Sequence, residues 1–148
     1  LDEPSEGLLL LTTDGKVSEF IRSSKVAKEY YAQVDGEITS EAIELLKKGV
    51  EISTETGKYI TKNCTVKKLL ETPQLPERAK KIRDERHGPT SWVSITLTEG
   101  KFRQVRKMTA VVGFPTLRLV RVRIGEITIS KLIPGEVKKV PNLVKLTC

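Results

Sequence analysis

The sequence contains few of the residues that hold metal ions or form disulfide bonds. Its 148 residues include two cysteines, Cys64 and Cys148, and a single histidine, His87. Cys64 falls in a strand-like stretch, Cys148 is the last residue, and His87 lies in a polar loop beside a Gly-Pro pair. Metal centres and disulfide frameworks need several such residues at characteristic spacings. We therefore expect neither a metal centre nor a disulfide framework.

Long hydrophobic runs are also missing. The longest run, Leu8 to Leu11, has four residues, whereas a membrane-spanning helix requires roughly 20. The chain opens with Leu1-Asp2-Glu3-Pro4, which has neither a secretory pattern nor an initiating methionine. We predict a soluble, cytoplasmic protein without a membrane partner, and we interpret the chain as a fragment or a processed product.

Positive charge, by contrast, is abundant. The chain has 26 Lys and Arg residues against 19 Asp and Glu residues, a net charge of +7 and a pI near 9.5. A field of this sign attracts polyanions, and nucleic acid is the commonest polyanion that a soluble protein meets. Composition leaves two alternatives open, a nucleic-acid partner and a basic protein that binds nothing specific.

Hydrophobic periodicity predicts a mixture of strands and helices. The predicted strands are Leu8–Thr12, Tyr30–Val34, Tyr59–Leu70, Trp92–Thr98 and a last strand after Pro115 that contains Val120, Val122 and Ile124. The predicted helices contain Val17 to Ile21, run from Thr39 or Ser40 to Gly49, and run from near Phe102 to Gly113. Strands and helices without steady βαβ alternation are typical of an α+β domain. We predict a single α+β domain over residues 1–148, with a mixed, largely antiparallel central sheet flanked by a few helices.

Two of these elements carry explicit burial patterns. In the helix that ends at Gly49, we expect Ala42, Leu45 and Leu46 to form the buried stripe. The strand from Trp92 to Thr98 alternates aliphatic residues with serine and threonine. Such alternation predicts a strand with one buried face and one solvent-exposed face.

The window from Lys101 to Arg123 contains no Asp or Glu. In its helix, Arg103, Arg106 and Lys107 are predicted to share the face opposite the apolar stripe. In its strand, Arg121 and Arg123 are predicted to share one face, and Arg118 would extend the patch. Because like charges repel, an anionic partner explains the cluster better than folding does. The alternative is ordinary surface charge with acidic partners.

Another basic run, Arg78–Arg83, lies in a proline-flanked connection. We interpret it as a solvated loop, with contact to a phosphate backbone as the alternative.

Three segments, in order along the chain, resemble the pseudouridine synthases of the RsuA family. Leu1–Gly15 is similar to the signature around the family's nucleophilic aspartate, and Lys28-Glu29-Tyr30 to the Lys-x-Tyr segment that supplies its active-site tyrosine. Glu99–Met108 is similar to the motif that contains the family's active-site arginine. The segments Gly88–Trp92 and Val112–Leu119 look most like the RluE branch, which modifies large-subunit ribosomal RNA. The resemblance covers nearly the whole chain.

The resemblance implies an enzyme that isomerises a specific uridine, expected in 23S ribosomal RNA, to pseudouridine without a cofactor. It implies that Asp2 is the nucleophile, and a carboxylate suits this role because its reference pKa, about 4, leaves it ionised at neutral pH. Arg106 is implied to pair with Asp2, and Tyr30 to stack on the extruded uracil and exchange a proton. Leu119 is interpreted as lining the base pocket, with strand core as the alternative.

The predicted RNA contacts are Lys101, Arg103, Gln104, Lys107, Arg118 and Arg121. Contacts of this kind position RNA without reading its sequence. Two alternative functions stay open at this point. One is a non-catalytic RNA-binding module or degenerate synthase associated with the ribosome. The other is a DNA-binding domain, for which no helix-turn-helix pattern is present.

The start of the chain departs from the family's pattern. A Gly-Arg pair and earlier strands normally precede the Leu-Asp pair, and here nothing precedes Leu1. We therefore expect a catalytic domain whose N-terminal part is missing. No segment represents the small RNA-binding domain that many relatives carry, and we expect a monomer.

Overall fold

The computed structural model describes residues 3–76, 88–129, 132–140 and 142–147. The predictions for Asp2, for the basic run 78–83, and for His87 and Cys148 lie outside these residues. Within the described ranges, no helix has the length and apolar character needed to cross a membrane.

The described elements alternate irregularly between strands and helices. They are β1 (Glu6–Gly7), α1 (Gly15–Arg22), β2 (Lys28–Asp35), α2 (Ser40–Lys48), β3 (Glu51–Thr54), β4 (Gly57–Ile60), β5 (Thr65–Leu69), β6 (Thr90–Leu97), α3 (Gln104–Val111), β7 (Thr116–Ile124), β8 (Ile127–Thr128) and α4 (Leu143–Thr147). The main sheet has the order β1-β7-β2-β6-β5, with β8 paired to β7, and β3 and β4 form a separate hairpin. β1 and β7 are parallel, and the other described pairs are antiparallel. The predicted α+β class with a mixed, largely antiparallel sheet is confirmed.

Helices α1 and α2 begin at side-chain caps. The Asp14 carboxylate accepts hydrogen bonds from the amides of Lys16 and Val17, and the Thr39 hydroxyl accepts one from the amide of Ala42. These bonds satisfy amide groups that have no partner inside the helix. Both helices were predicted, α1 from the spacing of its apolar residues and α2 from its cap and apolar stripe, and both are confirmed.

The predicted buried stripe of α2 is partly wrong. Ala42 and Leu46 are buried, but 52% of Leu45 is exposed. Leu45 lies on the edge of the apolar face, where one helical step of about 100° separates it from Leu46.

The larger hydrophobic core packs one face of the main sheet against α2 and α3. Its buried members are Ala32, Val34, Ile38, Ala42, Leu46, Val50, Ile52, Val66, Val93, Ile95, Leu97, Val105, Met108 and Leu119. A second core contains Leu8, Ile21, Val26 and Ile124, and packs α1 against the start of β2 and the end of β7. Together the two cores fix the ends of β2 and β7 that carry the candidate site.

The predicted strand Leu8–Thr12 is wrong. Strand pairing ends at Gly7, whose positive φ of 110° turns the chain away from the extended path. Leu8 is buried, but Leu9 and Leu11 are 59% and 76% exposed. The leucine run is thus a connection to α1 rather than a buried strand.

The single strand predicted for Tyr59–Leu70 is interrupted at residues 61–64. Thr61 is buried there, its amide donates to the Val50 carbonyl (2.9 Å), and its hydroxyl accepts from the Val50 amide (2.9 Å). These contacts move the chain from the β3–β4 hairpin to the main sheet.

The prediction that one face of β6 is exposed to solvent is also wrong. β6 lies between β2 and β5, and its polar residues Ser91 and Ser94 are buried. The Ser94 hydroxyl donates to Glu29 (2.6 Å) and the Ser91 hydroxyl donates to the Gly36 carbonyl (2.7 Å). The alternation of serine with aliphatic residues did not indicate a solvent-exposed face here, because the serine hydroxyls form hydrogen bonds inside the protein.

Candidate active site

The N-terminal segment of residues 5–8 lies along strand β7. Glu6 pairs with Val120 and Gly7 with Arg121. The Leu8 amide donates to the Arg121 carbonyl (2.8 Å), and Arg121 Nε donates back to the Leu8 carbonyl (2.8 Å). Backbone and side chain of one strand residue therefore hold this segment in place.

Gly7 allows the close approach of this segment to β7. A Cβ atom at this position would lie 2.2 Å from the Arg121 carbonyl oxygen, and φ is +110°. Both the distance and the backbone conformation exclude an L side chain without displacement of the segment.

Arg118 holds the same segment through Glu6. Its Nε and Nη2 atoms donate to the two carboxylate oxygens of Glu6, at 2.9 Å and 2.8 Å. Nη2 also donates to the Pro76 carbonyl (2.7 Å). The side chain is 12% exposed. The structure therefore gives Arg118 an internal role in place of the predicted RNA contact, because a bidentate ion pair occupies its planar donor edge.

Arg106 reaches the segment from helix α3. The side chain is half-buried, and its Nη2 donates to the Ser5 hydroxyl (3.1 Å). Ser5 follows Asp2 by three residues. The predicted pairing of Arg106 with Asp2 stays a prediction, since Asp2 lies outside the described residues.

Tyr30 and Arg121 lie side by side on the same face of the sheet. They are paired residues of β2 and β7, and both are half-buried. Tyr30 packs against the larger core. The strand that carries the predicted stacking residue is therefore joined to the N-terminal segment through Arg121.

Arg121 and Arg123 do not share a face, so that prediction is wrong. Arg123 pairs with Glu29 and Arg121 with Tyr30, and successive residues of β2 face opposite ways. The register shift between Glu29 and Tyr30 leaves Val122 as an extra residue on β7, which is how a β-bulge turns one arginine over. Arg123 Nε donates to Glu29 (3.0 Å) on the other face.

Leu119 is 5% exposed and belongs to the larger core, opposite Ala32. This position agrees with the strand-core alternative of the sequence analysis.

Lys28 adds a positive charge that the sequence analysis did not single out. Its ammonium donates to the carbonyls of Ile21, Ser23 (3.4 Å) and Val26 (2.9 Å), at the end of α1. Burial, and then the charge of Arg121, lower the pKa of Lys28 from its ordinary value. The signal in the sequence was the Lys-x-Tyr spacing, which puts Lys28 on the Tyr30 face of β2.

The N-terminal end of α3 is fixed by Gln104, which was predicted to contact RNA. Gln104 is 3% exposed. Its Nε2 donates to Glu99 (2.9 Å), and its Oε1 accepts from the Lys101 amide (3.0 Å). Its amide group is buried and engaged by the protein itself, and the RNA contact stays a prediction.

Glu99 joins α3 to the β3–β4 hairpin. It accepts hydrogen bonds from the Tyr59 hydroxyl, the Lys62 amide (2.8 Å) and Gln104. Burial tends to raise the pKa of Glu99, but these hydrogen bonds and the nearby charge of Lys62 outweigh it and hold the pKa below its ordinary value. The hydrogen bond between the Tyr59 hydroxyl and Glu99 raises the pKa of Tyr59, and burial and the Glu99 charge raise it further.

The remaining predicted RNA contacts lie around this end of α3. Lys101 and Arg103 are exposed. Arg103 precedes the helix, in the left-handed conformation (φ 52°), so it does not share a helical face with Arg106 as predicted. The Lys107 ammonium donates to the Ser53 carbonyl (2.8 Å) and is thus tied to the β3–β4 hairpin.

Among the residues that the structure describes, Cys64 is a half-buried free thiol. No group of three or more His, Cys, Asp or Glu side chains in these residues could hold a metal ion. Burial, and then the Glu99 charge, raise the pKa of the Cys64 thiol to about 11.

Comparison with known proteins connects this geometry to a family. The RNA pseudouridylate synthase family model matches residues 1–111. The ribosomal large subunit pseudouridine synthase E of Vibrio parahaemolyticus is 42% identical over 142 residues, which cover 95% of this chain and 58% of that protein. The protein of the same name from Xanthomonas axonopodis is 41% identical over 136 residues, which cover 90% of this chain and 70% of that protein.

A solved structure shares the fold. A crystal structure of a pseudouridylate synthase matches 100% of this chain and 57% of its own, with a TM-score of 0.76 and 24% sequence identity. The chain belongs to the RNA pseudouridylate synthase family, as the resemblance predicted. It spans 58% of the length of the Vibrio relative.

Proposed function

We propose that the chain is the catalytic part of an enzyme that isomerises a uridine in large-subunit ribosomal RNA to pseudouridine. The observation that carries this proposal is that α3 and β7 both hold residues 5–8. Arg106 of α3 contacts Ser5, Arg121 of β7 contacts Leu8, and Tyr30 of β2 pairs with Arg121. The segment that follows Asp2 is therefore fixed by two guanidinium groups, one of which lies beside the aromatic ring of the next strand.

In the proposed reaction, Asp2 attacks the nucleoside as a nucleophile. The bond between the ribose and uracil N1 breaks, the base rotates, a bond forms to uracil C5, and the bond to the Asp2 carboxylate breaks so that the enzyme is regenerated. The C5 proton is lost and N1 gains a proton, so the product is an isomer of the substrate. A carboxylate performs this step without a separate base because it is ionised at neutral pH.

Positive charge around the segment supports this role. Arg106 and Arg121 contact it, Lys28 interacts electrostatically with Arg121, and cations favour the ionised form of a neighbouring carboxylate. The half-buried Tyr30 would stack on the uracil after the nucleotide leaves its helix. Proton exchange by its hydroxyl is the second role that we propose.

The name of the Vibrio and Xanthomonas relatives supports the substrate. Both are called large-subunit synthases, and a net charge of +7 suits a polyanionic RNA. A single-stranded loop is the substrate from which one uridine is extruded at the lowest cost.

Release of tritium from ribosomal RNA labelled at uracil C5 tests the proposal, since forming the new bond expels that hydrogen. The full-length protein is compared with Asp2→Asn and with Asp14→Asn. Asp14 caps α1, and asparagine caps helices as well as aspartate does, so this matched control should keep full activity. We expect Asp2→Asn to reduce release about a thousandfold or more while RNA affinity stays within about threefold.

Three outcomes would contradict this function. Release that survives Asp2→Asn would remove the nucleophile. RNA binding without release from the unaltered protein would favour the non-catalytic RNA-binding module or degenerate synthase. Duplex DNA that competes better than structured RNA would favour a DNA-binding domain.

A further inference from the structure

We propose that Phe102 is a binding site for an unpaired nucleobase, which stacks on its ring beside the target uridine. This inference rests on the proposed function only in taking the same RNA as the ligand. It adds a stacking residue outside the site described above.

Phe102 is a large aromatic side chain that the fold does not use. It is 65% exposed and belongs to neither hydrophobic core. It lies in the turn between β6 and α3, four residues before Arg106. What distinguishes it from the other exposed apolar side chains is its flat aromatic face beside a cation, because bases of single-stranded nucleic acid stack on such faces.

One cation lies over this ring, and Lys101, the residue before Phe102, lies over another aromatic ring. The Lys107 ammonium lies 5.5 Å from the centre of the Phe102 ring, and the Lys101 ammonium lies 4.7 Å from the centre of the Tyr59 ring. Lys107 is also held by the Ser53 carbonyl. Sites for single-stranded nucleic acid combine aromatic rings, on which bases stack, with cations that attract the phosphate backbone.

The turn holds the ring in a defined position. The Gln104 amide donates to the Lys101 carbonyl (3.0 Å), and the Lys107 amide donates to the Arg103 carbonyl (3.0 Å). Among the described residues, Arg103 is the only residue other than glycine with a positive φ, 52°. Backbone conformations of this kind cost free energy and cluster at binding sites. A ring on a turn that backbone hydrogen bonds hold in place loses less conformational freedom when a base stacks on it.

Binding measurements on the full-length protein with Phe102→Leu and Phe102→Trp test this inference. The probes are a ten-nucleotide single-stranded oligouridylate and a duplex RNA of equal length, followed by fluorescence anisotropy. Because one base stack contributes roughly tenfold in affinity, we expect Phe102→Leu to weaken single-strand binding by about tenfold and Phe102→Trp to preserve it. Duplex binding should change less than about twofold, since its bases are already stacked.

Two controls separate stacking from charge and from folding. Val111→Ala removes another exposed apolar side chain, 55% exposed at the end of α3, and should leave both affinities unchanged. Phe102→Leu should also leave the salt dependence of binding unchanged, because it removes no phosphate contact. Thermal unfolding should be the same for all variants.

The inference is overturned if Phe102→Leu binds the single strand as the unaltered protein does, or if it loses duplex affinity equally. Failure of the proposed function would give a different combination of results in the binding and tritium-release measurements. In that case the Phe102 effect on single strands persists, while tritium release from ribosomal RNA is absent.

Discussion

Two basic regions, strand β7 and the turn before α3, use positive charge differently. In β7, Arg118 holds Glu6, Arg121 holds the Leu8 carbonyl, and Arg123 holds Glu29. In the turn, Lys101 and Arg103 are exposed. The arginines of β7 therefore fix the protein's own N-terminal segment and sheet, whereas the turn presents cations to solvent.

This difference comes from residues far away in the sequence. The acid-free window from Lys101 to Arg123 suggested one continuous anionic-ligand surface. Sheet pairing brings Glu6 and Glu29 to β7, and the alternative of acidic partners holds there. Glu99, the acid nearest to the turn in sequence, accepts hydrogen bonds from Tyr59, Lys62 and Gln104. Charge density in sequence thus does not predict which cations are buried in the fold and which are exposed.

The substitution Gly7→Ala should break the β7 arrangement most strongly. The new Cβ would lie 2.2 Å from the Arg121 carbonyl, so the segment after Asp2 must move. A displacement of about 1 Å at a catalytic group costs roughly a hundredfold in rate, and we expect at least that loss of tritium release. Gly15→Ala is the matched control, because its Cβ meets nothing within 4 Å and its activity should be unchanged. Equal activity of both variants would show that the segment does not need its position along β7.

The larger elements of this fold were predictable from local patterns. Helix α2 has its cap at Thr39 and its stop at Gly49, and β2 has a run of β-forming residues. The β-bulge at Val122 was not predictable, because nothing in β7 alone indicates the register shift against Glu29 and Tyr30.

The candidate site was predictable only in part. The motifs gave Tyr30 and Arg106, whose surroundings depend on residues that are adjacent only after folding. Gln104 and Arg118 were assigned to RNA because polar and charged residues in a basic window resemble a surface. Their burial follows from long-range contacts to Glu99 and Glu6, which periodicity does not encode.

Replacement of one cation by glutamine, first in β7 and then in the turn before α3, tests the comparison between these two regions. Arg118→Gln should lower tritium release about tenfold through loss of the bidentate pair with Glu6, with little change in the salt dependence of RNA binding. Lys101→Gln should change thermal stability little and leave the rate at saturating RNA unchanged, because Lys101 is exposed. It should weaken binding and reduce the slope of log K against log salt by about one. The reverse pattern, with the larger salt effect at Arg118, would restore the original assignment of Arg118 to RNA.

The smallest expected effect concerns Glu99, the acid that joins the turn before α3 to the β3–β4 hairpin. The folded-state pKa of Glu99 is lowered, so its carboxylate stabilises the fold above its unfolded pKa, about 4.5, and that contribution is lost as pH falls through the folded pKa. Because Glu99 is only partly buried, we expect the contribution to be under about 1 kcal/mol. Glu99→Gln should therefore unfold at a lower temperature than the unaltered protein at about pH 7, with the difference shrinking at about pH 3.5. Glu55→Gln, on the exposed β3–β4 turn, is the control and should show no such pH-dependent difference. A Glu99→Gln difference that stays constant between the two pH values would mean that the shape of the side chain, rather than its charge, holds the turn to the hairpin.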